Sequence, residues 1–302
     1  MKTKSISTEA AVLISISLTN YSWPGGPWAL GPELVRVARI ADEAGIDTVW
    51  VTDHLVQADP TVPPANTDML EAYTVLGYIA ARTERVRLGA MVSPVTMREP
   101  GLLVKAVTTL DVLSGGRTWL GIGAGYHGEE AQAMGIPMPA VAERFERLEE
   151  ALRITLRMWA GDTSPFSGEH YRLARPHVSP QPVQRPHPPI LIGGAGEKRT
   201  LRLVAQFADA CNLFDIPDGG ATVRRKLDVL ARHCDNTGRP YGDIEKTLST
   251  RLNPGEPASE FLRRSAQAAE LGIEHLIVVT SAPWDPESLA TLATAVSAAD
   301  GP

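Results

Sequence analysis

Residues 107 to 128 read VTTLDVLSGGRTWLGIGAGYHG, and this stretch carries the main indication of the fold. An apolar helical pattern ends at Ser114, and a strand pattern then runs into three alternating glycines, Gly121, Gly123 and Gly125. Because glycine has no side chain, a strand that ends in glycines lets another group approach its backbone closely. In a parallel barrel the carboxyl ends of the strands carry the chemistry. The stretch therefore predicts a ligand site at the end of a barrel strand.

Strand and helix patterns alternate along the whole chain. Short apolar runs predict eight strands, at 11–18, 47–53, 86–92, 117–123, 189–193, 209–214, 244–250 and 274–280. Helical patterns lie between them, at 31–44, 68–84, 99–113, 141–160, 197–207, 220–236, 258–271 and 286–299. Eight such units favour an α/β fold, the (β/α)8 TIM barrel, over an open doubly wound sheet. We therefore predict a single domain over residues 1–302.

Two connections are longer than a barrel requires. About 65 residues separate the predicted fourth and fifth strands, and the proline-rich end of that gap, 161–188, is expected to be an insertion beside the C-terminal mouth. The insertion is either a plain surface loop or a lid. The connection 54–67 follows the second strand and is expected over the same face.

Composition narrows the class of protein. The 302 residues are 43% hydrophobic and 21% charged, with a formal net charge of -6 and no basic run that could follow a nucleic acid backbone. The two cysteines, Cys211 and Cys234, form neither a disulfide framework nor a metal motif. The apolar run 10–18 is interrupted by serines and leads into a loop, which favours a strand over a signal peptide. We expect a soluble, cytoplasmic protein that acts on small molecules, without metal, membrane or nucleic acid.

The predicted second strand ends in Asp53 and His54. Residues at this end of a barrel strand point into the mouth, and histidine is the side chain that most readily gives or takes a proton near neutral pH. His54 is therefore the best candidate for proton transfer. The alternative is a histidine that only makes a structural hydrogen bond.

Two glycine clusters stand where a strand meets a helix. Gly123 to Gly128 match the pattern GxGxxG, but the acidic residues about 20 positions on lie in a predicted helix, so a dinucleotide-binding fold is the weaker interpretation. Gly193, Gly194 and Gly196 precede a helix predicted to begin at Glu197, where backbone N–H groups could hold a phosphate. A tight turn without a ligand is the alternative.

Aromatic residues and histidine follow the first and fourth predicted strands. Tyr21 and Trp23 come after the first strand, and Tyr126 and His127 come after the fourth. Rings near a mouth can stack on a flat ligand, so these four are candidates for the substrate pocket. They could also simply pack their own loops.

Several motifs together resemble the bacterial luciferase-like family of flavin and deazaflavin enzymes. They are VWVTDH (49–54), SPVTMREP (93–100), LDVLSGGRTWLGIGAG (110–125), the pattern ER…EEAL (143–152) and ILIGGAGEKRTLRLVAQFADACNLF (190–214). The last motif is similar to the branch of this family that uses the deazaflavin coenzyme F420. The resemblance covers the chain from the first strand to about Thr280 and implies a barrel with the tricyclic ring at its mouth.

The resemblance also implies roles for single residues. It places His54 beside the reacting ring edge and a non-prolyl cis peptide at Ala90-Met91. It implies that the ring, the ribityl chain and the phosphate contact Asp53, Ala90, Met91, Ser93, Ala124, Gly125, Glu129, Gly193, Gly194, Gly196 and Glu197. The sugar-phosphate dehydrogenases of the branch carry a proton-accepting glutamate where this chain has Tyr126, which argues against glucose 6-phosphate as the substrate.

The implied activity is hydride transfer between reduced F420 and a C=C or C=N bond of a small organic molecule, in either direction, with His54 handling the proton. One alternative is a monooxygenase that uses reduced FMN supplied by a separate reductase. Another is a non-catalytic flavin-binding relative. Members of the family commonly dimerise, so we also expect a homodimer with the segment 68–84 as a possible contact.

Overall fold

The structure is a computed structural model that describes residues 12–62 and 67–299. The strands of the described residues are β1 (Leu13–Leu18), β2 (Thr48–Val51), β3 (Arg87–Ala90), β4 (Ser93–Pro94), β5 (Leu120–Gly123), β6 (Phe166–Ser167), β7 (Arg172–Leu173), β8 (Ile190–Gly193), β9 (Ala210–Phe214), β10 (Glu245–Arg251) and β11 (His275–Val279). The helices are α1 (Pro27–Glu43), α2 (Ala72–Ala80), α3 (Pro100–Ser114), α4 (Gly128–Ala133), α5 (Val141–Trp159), α6 (Thr200–Phe207), α7 (Ala221–Thr237), α8 (Ala258–Glu270) and α9 (Pro286–Ala299). A 3-10 turn spans Tyr241–Asp243.

Nine strands form one parallel sheet in the order β3-β2-β1-β11-β10-β9-β8-β5-β4. β3 and β4 lie at opposite ends of this order, yet only Met91 and Val92 separate them along the chain. The sheet therefore closes on itself, and β3 and β4 together make one interrupted barrel strand. A parallel bridge between Leu88 and Thr118 completes the closure below the interruption. The predicted (β/α)8 TIM barrel is confirmed.

Alternate faces of the strands pack into different cores. Val49 and Val51 of β2 face outward and join the core beneath the helices, whereas Trp50 points into the barrel. Inside the barrel Trp50 packs against Trp119, with 5.7 Å between the ring centroids. Helices thus cover one side of the strands, and Trp50 and Trp119 pack on the other side with Leu191, Ala210 and Ile277. Because both of its faces are buried against apolar groups, β2 reads as a continuous apolar run.

The third barrel strand departs from the prediction. The strand pattern covers 86–92, whereas regular pairing stops after β3 and the Met91–Val92 peptide bond is cis. The expected position of this bond, Ala90-Met91, is therefore wrong by one residue. The backbone N–H of Met91 still donates to the carbonyl of Val51 at 2.8 Å, so the pairing with β2 continues through Met91.

Short elements account for the other differences. Helix α4 and the hairpin of β6 and β7 were not predicted, because six and two residues are too few to show a periodic pattern. Helix α6 begins at Thr200 rather than at Glu197. The first residue of the predicted strand 11–18 lies outside the described residues.

The insertion 161–188 packs on the outside of the barrel. The carboxylate of Glu150 on α5 accepts hydrogen bonds from the backbone N–H groups of Glu169 and Tyr171 at 2.7 and 3.0 Å. Farther along, the N–H of Val183 donates to Asp111 of α3 at 2.6 Å, and the amide of Gln184 donates to the carbonyl of Thr118 at 2.7 Å. Because Thr118 precedes β5, the end of the insertion lies at the end of the barrel opposite the mouth.

Candidate active site

A cavity of about 1020 Å³ opens at the carboxyl ends of the barrel strands. Its floor includes Ser17 of β1, Asn212 of β9 and Ile277 of β11, and its wall includes the loop residues Gln57 and Asp59. The predicted position of the 54–67 connection at the mouth is thus correct for its described part. Residues 161–188 contribute nothing to the described lining, and their contacts with α3 and α5 hold them against the outside of the barrel. Leu173 of the hairpin lies near Gly101 at the start of α3, which follows β4 at the mouth end, so the insertion reaches this end of the barrel without entering the cavity.

His54 lines the cavity and is held from behind by a buried carboxylate. Its Nδ1 lies 2.8 Å from Oε2 of Glu130, which is 2% exposed. The other oxygen, Oε1, accepts hydrogen bonds from the N–H groups of Leu55 and Val56 at 2.5 and 3.3 Å. An ionised carboxylate can only accept, so in the neutral ring Nδ1 of His54 carries the hydrogen and Nε2 is the acceptor nitrogen.

Tyr126 stands next to His54 on the wall of the cavity. Its hydroxyl lies 3.3 Å from Nε2 of His54, and the two rings meet edge to face at 5.5 Å. Burial and the nearby carboxylates of Glu130 and Asp59 raise the pKa of the Tyr126 phenol. The phenol therefore stays protonated near neutral pH and donates to Nε2. Glu130, His54 and Tyr126 form one hydrogen-bonded chain that ends in the cavity.

The glycines at the strand ends have two different structural roles. A Cβ at Gly121 would overlap the carbonyl oxygen of Ala90, and one at Gly123 or Gly193 would lie 2.8 Å from a methyl group of Val92. These positions make room for the interrupted third strand. Gly125 and Gly194 have φ angles of 76° and 105°, which L side chains rarely adopt, and both line the cavity.

A family model for luciferase-like monooxygenases matches residues 29–274, which is most of the chain. The match includes β2, the interrupted third strand, β5 and the loop after β8, which supply a large part of the cavity lining. The chain belongs to the luciferase-like monooxygenase family. The resemblance expected from the motifs is confirmed.

Two relatives of this luciferase-like protein are F420-dependent glucose-6-phosphate dehydrogenases. The one from Kineococcus radiotolerans is 31% identical over 269 residues, covering 86% of this chain and 75% of that enzyme. The one from Nakamurella multipartita is 36% identical over 230 residues, covering 74% of this chain and 64% of that enzyme. The chain thus spans slightly less than two thirds of the second relative.

The same fold occurs in an F420-dependent secondary alcohol dehydrogenase solved with an F420-acetone adduct. That structure superposes with a TM-score of 0.80 at 18% identity, over 97% of this chain and 99% of the other.

Within residues 12–62 and 67–299 of the luciferase-like chain, no helix has the length and apolarity needed to cross a membrane. The described side chains also include no group of three or more histidine, cysteine, aspartate or glutamate residues that could hold a metal ion.

The luciferase-like resemblance implied eleven ligand contacts, and the structure brings six of those positions to the cavity. They are Met91, Ala124, Gly125, Gly193, Gly194 and Gly196. Glu129 is exposed and points away, because α4 turns its neighbour Glu130 inward instead. Glu197 pairs with Arg225 and Lys226 of α7, both at 2.9 Å, and does not line the cavity. Glu129 and Glu197 therefore lie outside the described lining of the cavity, and their contacts with the cofactor stay predictions.

Asp53, Ser93 and Ala90 lie behind the cavity wall, each no more than 1% exposed. The carboxylate of Asp53 accepts hydrogen bonds from Ser93 at 2.7 Å and from Arg98 at 2.5 Å. Burial lowers the pKa of Arg98, but the carboxylates of Asp53 and Glu71 outweigh burial and raise it overall. This ion pair joins the end of β2 to the loop after β4. Asp53 does not line the cavity, and its contact with the ring stays a prediction. Arg98, which stands within the motif SPVTMREP, is the partner that the sequence analysis missed.

Three of the four predicted pocket residues do not line the cavity. Tyr21 and Trp23 are 0% and 6% exposed and pack in the core, where the indole of Trp23 donates to the carbonyl of Trp284 at 2.9 Å. His127 caps α4 by accepting a hydrogen bond from the N–H of Glu130 at 3.0 Å. Only Tyr126 keeps its predicted place. The sequence located these rings near the mouth, but it carried no signal for the direction in which each points.

Proposed function

We propose that this protein is a coenzyme F420-dependent oxidoreductase in which His54 gives or takes the proton that accompanies hydride transfer. The observation that carries the proposal is the acceptor nitrogen Nε2 of His54 on the cavity wall, next to the hydroxyl of Tyr126, in a ring fixed by the buried carboxylate of Glu130. The names of the relatives support F420 as the cofactor. The enzyme class expected from the motifs agrees with these names.

The residues of the cavity fit a deazaflavin. About 1020 Å³ is at the upper end of the usual range for ligand sites, enough for a tricyclic ring and a medium-sized substrate. Gly125, Gly194 and Gly196 offer backbone without side chains, and the hydroxyl of Ser17 is buried at the floor with no hydrogen-bond partner among the described residues. When bound, the deazaflavin supplies or takes up a hydride, because carbon stands where a flavin has its reactive nitrogen.

The protein itself handles the proton. If hydride goes to a carbon of the substrate, the other atom of the reduced bond needs a proton, and the chain of Glu130, His54 and Tyr126 holds one in the cavity. In the opposite direction, Nε2 of His54 accepts the proton as the substrate loses its hydride. The carboxylate of Glu130 stabilises the imidazolium while it exists and keeps Nε2 directed at the substrate.

The cavity wall favours a partly apolar substrate. Met69, Val141, Phe145, Phe214 and Val279 contribute apolar surface around the polar floor. We propose an organic molecule with a polarised C=C or C=N bond, because such a bond accepts a hydride at one end and a proton at the other. The pocket buries the apolar part of such a molecule and leaves its reacting end near His54.

The test is the variant His54→Asn with F420 and a panel of enones, enoates and cyclic imines, followed by the absorbance of the deazaflavin. We expect turnover to fall by about 10²-fold or more while F420 still binds, because a positioned acid or base contributes about 10²- to 10⁴-fold. The matched control is His170→Asn, since His170 pairs with Glu146 outside the cavity. The control should keep the activity of the unmodified protein.

Three other outcomes would contradict the role of His54, the cofactor or the type of bond reduced. Unchanged turnover in His54→Asn contradicts the role of His54. Binding of reduced FMN by the unmodified protein without binding of F420 contradicts the cofactor and favours the monooxygenase. Binding of F420 without turnover on any substrate of the panel contradicts the proposed bond types.

A further inference from the structure

Arg144 lines the cavity wall, and its guanidinium group is not paired with a carboxylate of the described residues. It lies in the first turn of α5, and its Nη1 donates a hydrogen bond to the carbonyl of Gly125 at 2.7 Å. The same nitrogen lies 3.6 Å from the sulfur of Met138. Its Nε is buried and has no hydrogen-bond partner within the described residues.

The other two guanidinium groups that line the cavity are neutralised by carboxylates. Arg251 pairs with Asp59 at 3.0 Å, and Arg264 pairs with Glu256 at 2.8 Å. In residues 12–62 and 67–299, no carboxylate lies within ion-pair distance of Arg144. A buried N–H of a charged group without an acceptor is costly, so the cavity holds a positive charge that lacks its counter-charge.

Arg144 also lies close to the second glycine cluster. β5 and β8 are neighbours in the barrel, so the loops after them, which hold Gly125 and Gly194, are adjacent at the mouth. The guanidinium of Arg199, the residue before α6, stacks on the ring of Phe145 at 5.6 Å. This contact brings the first turn of α5 against the start of α6, where the glycine loop ends.

We propose that Arg144 binds the phosphate group of the bound cofactor, together with the backbone of the loop 193–196. The inference rests on the proposed function, since it assumes a phosphate-bearing deazaflavin in the cavity. A guanidinium can donate two parallel hydrogen bonds to a phosphate, and Nε with one terminal nitrogen forms such a pair. Arg144 thus provides the charge that the glycine loop lacks, while Nη1 keeps its bond to Gly125.

The experiment compares F420 with FO, which has the same ring and ribityl chain but lacks the phosphate and the groups attached beyond it. Fluorescence titrations with Arg144→Met should show an affinity for F420 reduced about 10- to 100-fold, the usual loss when a charged hydrogen bond is removed. The affinity for FO should stay within about twofold. Arg144→Lys, which keeps the charge, should lose less affinity for F420 than Arg144→Met.

The matched control is Arg147→Met, one turn farther along α5. Arg147 pairs with Glu143 at 2.7 Å and does not line the cavity, so its loss should leave both affinities unchanged. A second measurement needs no cofactor: inorganic phosphate should raise the thermal unfolding midpoint of the unmodified protein more than chloride of the same ionic strength does. Arg144→Met should abolish this difference.

The outcomes separate the two proposals. If Arg144→Met weakens F420 and FO equally, the residue acts only by holding Gly125 and the inference is overturned. It is also overturned if neither affinity changes. If the unmodified protein binds neither F420 nor FO, the proposed function fails, and the comparison of FMN with riboflavin and the phosphate measurement then decide on Arg144.

Discussion

At the scale of single residues, the carboxylate of Glu130 determines which nitrogen of His54 faces the cavity. It accepts from Nδ1 of His54 with one oxygen and from the backbone of Leu55 with the other. The backbone that carries His54 and its ring are thus fixed by the same group. Glu130 is therefore a positioning residue, and His54 is the group proposed to meet the substrate.

This geometry predicts the effect of Glu130→Gln. Glutamine offers a single carbonyl oxygen, so either the ring of His54 or the N–H of Leu55 would face an amide that also donates. We expect a loss of about 1–3 kcal/mol in the free energy of unfolding and a fall in kcat of about tenfold or more, with an unchanged Kd for F420. Stopped-flow turnover, fluorescence titration and urea unfolding measure these three quantities.

Glu129→Gln is the matched control, because Glu129 is the exposed neighbour on the same short helix. It should change neither kcat nor stability. A Glu130→Gln protein with normal kcat would show that the orientation of His54 does not depend on Glu130. The sequence indicated His54 correctly as a cavity residue. It could not show which of Glu129 and Glu130 faces inward, because this depends on how α4 is rotated about its axis.

At the scale of elements, the glycine strand β5 shows what a motif can predict and what it cannot. Its place as a barrel strand that ends at the ligand site was evident from the sequence. The purpose of each glycine was not, because it depends on how the third strand is interrupted. Gly121 and Gly123 leave room for Ala90 and Val92, and only farther along does Gly125 turn the chain with positive φ.

This assignment predicts that Gly121→Ala is destabilising even though Gly121 does not line the cavity. The added methyl group would overlap the backbone oxygen of Ala90, which is not a flexible side chain and cannot rotate away. We expect a loss of about 1–3 kcal/mol or more in the free energy of unfolding, measured from urea denaturation midpoints.

The matched control is Gly77→Ala in α2. A Cβ at Gly77 meets nothing within 4 Å, and alanine favours a helix over glycine, so this variant should be about 1 kcal/mol more stable. If Gly121→Ala unfolds at the same urea concentration as the unmodified protein, the close packing of β5 against the third strand is refuted.

The insertion 161–188 was harder to predict than any regular element. Its length and proline content indicated a surface connection, and the hairpin of β6 and β7 is indeed on the outside. Its course is set by distant partners, such as Asp111 for Val183 and Glu150 for Tyr171. Such contacts join residues far apart in sequence, and no local pattern reveals them.

At the scale of the whole molecule, the barrel was predictable because its signal is repeated. Each of the eight strand–helix units alone is weak, but the alternation along the chain leaves few architectures. The candidate site was predictable as far as it follows from strand ends, which gave His54, Gly125 and Gly194. The partners that act across the mouth, Glu130 and Arg144, required the structure.

The central claim is that the mouth of this barrel binds F420. The most direct measurement is a fluorescence titration of the purified protein with F420, run beside one with reduced FMN under anaerobic conditions. We predict saturation at one F420 per chain at micromolar concentrations, and much weaker binding of reduced FMN. Tight binding of reduced FMN with no saturable binding of F420 would contradict the account and identify the protein as a flavin enzyme instead.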